Sequence, residues 1–113
     1  MKLASTRNII IATLIALSGA LAAANAADAK ANWEKTCAKC HGADGKGDTK
    51  IGKTLEIKDF TDAKVQAGYK DADMIKAIKE GIKDGDKIRM KAAEDLSDDE
   101  IKALVTYVRA LKK

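Results

Sequence analysis

Cys37, Cys40 and His41 are the residues of this 113-residue chain whose types and spacing converge on one chemistry. The chain has two cysteines and one histidine, and all three fall within Cys37-Ala38-Lys39-Cys40-His41. Two thiols three positions apart on a helix stand about one turn from each other. They are placed to add to the two vinyl groups of one haem as thioethers. The adjacent imidazole then projects toward the iron at the centre of the same ring. A C-x-x-C-H run reads as c-type haem attachment, with Cys37 and Cys40 as covalent links and His41 as an axial ligand.

Other chemistries of these residue types meet physical objections. A redox dithiol needs a βαβ setting with a strand leading into the motif. The segment from Asp28 to Thr36 is instead rich in Ala, Lys and Glu and helical in character. Zinc needs three or four protein ligands, and no Cys or His exists beyond the three named. A Cys37–Cys40 disulfide closes a very short loop and leaves His41 without a role.

The N-terminus reads as an export signal. Lys2 and Arg7 precede an apolar run, Ile9 to Leu17, broken only by Thr13. Ala24-Asn25-Ala26 fits an A-x-A cleavage site, with Ala22-Ala23-Ala24 as a second candidate. The alternative is an uncleaved anchor, since Asn8 to Ala27 carries no charge and is just long enough to span a bilayer. The alanine-rich second half favours cleavage. We therefore read 1–26 as a cleaved signal peptide, 27–113 as one domain, and the compartment as periplasm. Without Lys2 and Arg7, 19 basic residues stand against 17 acidic ones, a balance that does not point to nucleic acid. Acids and bases interleave along Asp44–Lys53 and Asp71–Lys87, as on a solvated surface. A domain of this size buries little surface, so the haem is expected to act as missing core and the haem-free chain to be largely unfolded.

Three segments carry a helical period and none a convincing period of two. Ser97-Asp98-Asp99-Glu100 is a capping box, and Ile101, Leu104, Val105, Val108 and Leu111 share one face, predicting a helix from Asp98 to about Lys112. A second helix is predicted over Asp71–Glu80, capped by Asp71, striped by Met74, Ile75, Ile78 and Ile82, and stopped by Gly81. A third runs from Ala29 to Lys39, with Trp33 one turn before Cys37. A short helical turn is expected within Asp59–Gln66. Gly42, Gly45, Gly47 and Gly52 follow His41, either to let the backbone pass close to the haem or as an ordinary loop.

Taken together, the helix bearing Trp33, the motif Cys37-Ala38-Lys39-Cys40-His41-Gly42 and the glycine-rich loop resemble the class I c-type cytochromes. So do the middle helix ending Ile78-Lys79-Glu80-Gly81, the later Met90 and the amphipathic last helix with Tyr107. The resemblance covers residues 27–113 and implies an all-α fold of three to four helices around one covalently bound haem, with the first and last helices crossing. It implies one haem c, with His41 and Met90 as axial iron ligands. Met90 is preferred to Met74 because Met74 belongs to an apolar stripe, whereas Met90 lies in Asp84–Asp95, which has none. The family usually has proline after this methionine and another after the haem motif; this chain has no proline. A looser methionine segment is expected, and the carbonyl that orients His41 through its other ring nitrogen is sought in the Lys50–Thr54 region.

Such a site suits one-electron transfer, because His/Met ligation saturates the iron and raises its potential. The resemblance implies a non-enzymatic carrier, a monomer working between redox-protein donor and acceptor, including a membrane or periplasmic oxidoreductase. Two alternatives stay open: a gas-binding or peroxidatic protein if Met90 does not bind, and a relay subunit of a larger complex.

Overall fold

Ser97 accepts from the Glu100 amide at 3.2 Å through its hydroxyl, while its own amide donates to Glu100 Oε1 at 3.1 Å. This reciprocal cap opens helix α5, Asp98–Ala110, and satisfies donors that a helix start leaves orphaned. The computed structural model describes residues 27–113; the signal peptide read at 1–26 lies outside the described residues. Among them, no helix is long and apolar enough to cross a membrane.

The chain is helical from residue 27 through 41, here α1. Its middle is a π-helical segment, Trp33–Cys37, and its last turn is Ala38–His41. α1 crosses α5, and small side chains permit the approach: Ala29 and Ala103 line the cleft between the two helices. Asn32 Nδ2 donates to Glu100 Oε2 at 3.2 Å, and the Trp33 and Tyr107 rings lie 5.6 Å apart.

Helix α2, Lys50–Thr54, was not foreseen, because Gly52 reads as a breaker inside it. Thr49 caps it, accepting from the Gly52 amide. Helix α3, Ala63–Ala67, is capped by Asp62, so the turn expected within Asp59–Gln66 begins later. Helix α4, Asp71–Glu80, has the expected bounds, but its N-cap is Lys70, which offers no side-chain bond. Asp71 is instead the first helical residue, an acid at the positive end of the helix dipole, and it accepts from Arg109 Nε at 2.9 Å.

Met74 and Ile78 of α4 pack with Trp33, Ile101, Leu104, Val105 and Val108 in one buried cluster. The expected stripe ends there. Gly81 (φ 76°) stops α4, and Ile82 leaves the core face at 43 % exposure. The next segment corrects the all-helical reading. Strands β1, Ile82–Asp84, and β2, Lys87–Met90, pair antiparallel with Ile82 opposite Met90 and Asp84 opposite Lys87. Gly85 (φ 62°) supplies the positive φ that a two-residue hairpin loop requires. Five helices and one hairpin thus replace the three to four helices expected; the helical architecture and the crossing of first and last helices hold.

Candidate functional site

The last turn of α1 positions Cys37, Cys40 and His41. The wide π turn ends at Cys37 itself, with the Ala38 amide donating to Trp33 O; such turns cluster at functional sites. Helix ends leave carbonyls unpaired, and here each finds a partner. The Thr49 hydroxyl donates to Cys40 O at 2.6 Å and the Gly47 amide to His41 O at 2.7 Å. Trp33 Nε1 donates to Gly42 O at 3.1 Å, so the buried indole clamps the residue that follows the motif. Gly42 and Gly47 take φ values of 86° and 70°, which let the loop fold back onto the motif.

The side chains form an aromatic array around His41. Its ring lies 5.2 Å from Phe60 at an interplanar angle of 24° and 5.6 Å from Trp33 at 39°. Tyr107 meets Trp33, and Tyr69 meets Phe60 edge-on at 6.0 Å. The chain's four aromatic residues therefore all belong to one array centred on its single histidine. Sequence reasoning found Trp33 but missed Phe60 and Thr49; the scarcity of aromatics was the available signal.

His41 Nδ1 is buried and has no hydrogen-bond partner. The carbonyl expected from the Lys50–Thr54 region does not serve it. Without proline in the loop, the backbone folds tightly enough that Gly47 and Thr49 instead engage carbonyls of the motif. Burial lowers the imidazole pKa from its ordinary 6.5, which keeps the ring neutral, the form that binds metal. Burial, and next to it the neighbouring Cys40, push the Cys37 thiol up to about 11. Both cysteines are free and half-buried.

Met90 is half-buried and packs against the same apolar cluster as Cys37. It ends β2 rather than lying in a loop. Its segment is also less free than the missing proline suggested. The Ala93 amide donates to Ile78 O at 2.8 Å, Arg89 Nη2 donates to Leu55 O at 2.7 Å, and Gly81 lies directly against Met90 O. Met74 is buried in the core cluster. Among the described residues, no three His, Cys, Asp or Glu side chains gather as a metal cluster.

The chain matches the family model described as cytochrome c oxidase, cbb3-type, subunit III, over residues 24–108. A solved structure titled KustC0563 c-type cytochrome is 36% identical, with a TM-score of 0.64 over 74% of this chain and 96% of that one. This chain belongs to the class I c-type cytochromes. A mutant of the same solved protein aligns equally well, at 36% identity and TM-score 0.63 over 75% of this chain and 99% of that one. A search of curated proteins gives no match.

As a member of this family, the cytochrome carries covalently bound haem c and its iron. The residues present fit that group. Two half-buried free thiols stand on one helix end. Beside them is a neutral imidazole with one ring nitrogen buried and unpartnered, in a setting of aromatic and aliphatic side chains.

Proposed function

We propose that this cytochrome is a periplasmic one-electron carrier, its haem linked through Cys37 and Cys40, with His41 and Met90 as axial ligands. The observation that supports this most is the end of α1, where both thiols and the only histidine share one turn whose backbone is pinned by Thr49, Gly47 and Trp33. When bound, haem c supplies a one-electron Fe(III)/Fe(II) couple.

The chain's own residues do the rest. Cys37 and Cys40 hold the group in place covalently. His41 offers Nε2, since Nδ1 is turned into the protein interior. Met90 offers a soft thioether, which favours the ferrous state. With two protein ligands there is no open position for substrate or dioxygen, so the chain performs electron transfer and no bond-making. Trp33, Phe60 and the core side chains exclude water, and an apolar surrounding disfavours the extra charge of the ferric site. The export-signal reading of 1–26 supports the periplasmic assignment.

Acid–acetone extraction of the denatured holoprotein tests the attachment. The haem is expected to stay on the polypeptide, and to be released when Cys37 and Cys40 are both serine. Clean extraction from the unmutated protein refutes the proposal.

A second reading is favoured by the description of the matching family model, which names an oxidase subunit. In it the same site relays electrons within a larger membrane or periplasmic complex. Co-purification with a larger partner under mild detergent separates it from a free monomeric carrier.

A further inference from the structure

His41 combines a fully engaged backbone with a ring nitrogen that is buried and unpartnered. Metal-bound histidines almost always donate their second N–H to a carbonyl, a carboxylate or water, which fixes the ring and raises its basicity. Here the ring is instead covered by flat apolar surface. Of the two aromatic neighbours, Phe60 is the closer and the more nearly parallel.

Phe60 is itself held from three directions. Its amide donates to Gly45 O at 2.9 Å, and its carbonyl accepts from Gln66 Nε2 at 2.7 Å. That same nitrogen donates to Val108 O of α5 at 2.7 Å, while Arg109 Nη1 reaches Gln66 O at 2.6 Å and Gln66 Oε1 at 3.1 Å. Tyr69 braces the Phe60 ring edge-on. Gln66 is the buried polar side chain of the core, 4% exposed. Burying an amide is costly unless every polar atom is paired, and these bonds pair it while fixing the chain at Phe60.

We infer that Phe60 is a positioning residue for His41, its ring setting the imidazole plane and sealing Nδ1 from water in place of a carbonyl partner. The inference rests on His41 being the iron ligand. An Nδ1–H with no acceptor leaves the imidazole a weaker electron donor than a hydrogen-bonded one, which disfavours the ferric state. Water admitted to Nδ1 restores the acceptor and reverses the effect.

The test uses holoprotein with the haem attached, comparing unmutated protein, Phe60→Leu and Phe60→Tyr. Proton NMR of the ferric state follows exchange of the His41 Nδ1–H with heavy water, and redox titration gives the midpoint potential. The unmutated protein is expected to exchange this proton slowly. Phe60→Leu is expected to lose that protection and shift its midpoint negative, while Phe60→Tyr, which keeps the ring, retains the protection. Slow exchange and an unshifted midpoint in Phe60→Leu overturn the role of Phe60 while leaving His41 as ligand. If Phe60→Leu does not accumulate, the unmutated protein decides: slow exchange supports the seal and rapid exchange overturns it. A ferric spectrum without low-spin imidazole ligation overturns the His41 reading, and this inference with it.

Discussion

Asn32 Nδ2 donates to Glu100 Oε2 at 3.2 Å, so the carboxylate that closes the α5 capping box also ties that helix to α1. One side chain thereby couples a local cap to the crossing of the first and last helices, and so to the turn that bears Cys37, Cys40 and His41.

This coupling gives Glu100 a pH signature. Bonds from the Ser97 backbone, then its side chain, then Asn32 hold the Glu100 carboxyl below its ordinary 4.5. A carboxyl depressed in the folded state contributes stability that is full above the unfolded value and is lost as pH falls through the folded one. Glu100→Gln is therefore expected to be less stable than the unmutated protein at neutral pH, with the gap closing as pH falls below 4.5. Denaturant unfolding followed by circular dichroism across that range checks this; a pH-independent gap refutes it. Ser97→Ala is expected to cost about 1 kcal/mol through the lost cap.

The two internal methionines are expected to separate cleanly. Met74 is 9 % exposed in the core, so Met74→Ala costs about 2–5 kcal/mol in stability yet keeps the near-infrared Met–Fe(III) charge-transfer band. Met90→Ala is expected to abolish that band. Its survival in Met90→Ala overturns the ligand assignment.

Gly52 is expected to tolerate no side chain. A Cβ there meets Cys40 O at 2.7 Å and Gly47 O closer still, both backbone atoms. Gly52→Ala must push α2 off the haem motif, at about 1–3 kcal/mol. Thermal unfolding measures the loss, and an unchanged midpoint temperature refutes the contact.

The hairpin carries Lys83, Lys87 and Arg89, with Lys91 directly after it, against Asp84 and Asp86. Beside these charges, Ile82 and Ile88 are 43 % and 54 % exposed. A cationic rim of this kind steers an acidic partner by about 10-fold at low salt. Replacing Lys87 and Lys91 together by glutamine is expected to slow reduction by the physiological donor at low ionic strength and to matter little at high. Equal stopped-flow rates at low ionic strength refute a steering role.

Where periodicity and capping chemistry agree, the sequence is enough to locate an element. Ser97 to Glu100 fix the start of α5, and Met74 and Ile78 lie on the buried face of α4 as their spacing requires. The hairpin escaped because strands of three and four residues are too short for alternation to register. The cap of α4 was misread because Asp71 is drawn to Arg109, a residue far along the chain. Of the candidate site, the residues of the motif could be read directly from their spacing. Phe60 and Gln66 could not, because their placement depends on α5 closing over them. The unpartnered Nδ1 is equally tertiary, being the absence of a carbonyl that no pattern announces.

The buried Cys37 thiol carries a consequence for timing. Sulfur is nucleophilic as thiolate, and within the finished fold this thiol is held up to about 11, so near neutrality it is almost wholly protonated there. Its reactive form belongs to the nascent chain, before Trp33 and the core close over it. The order of assembly is thereby built into the fold: bond formation first, closure second. A chain that closed early would shelter an unreactive sulfur, and the same packing that protects the finished linkage would block its late repair.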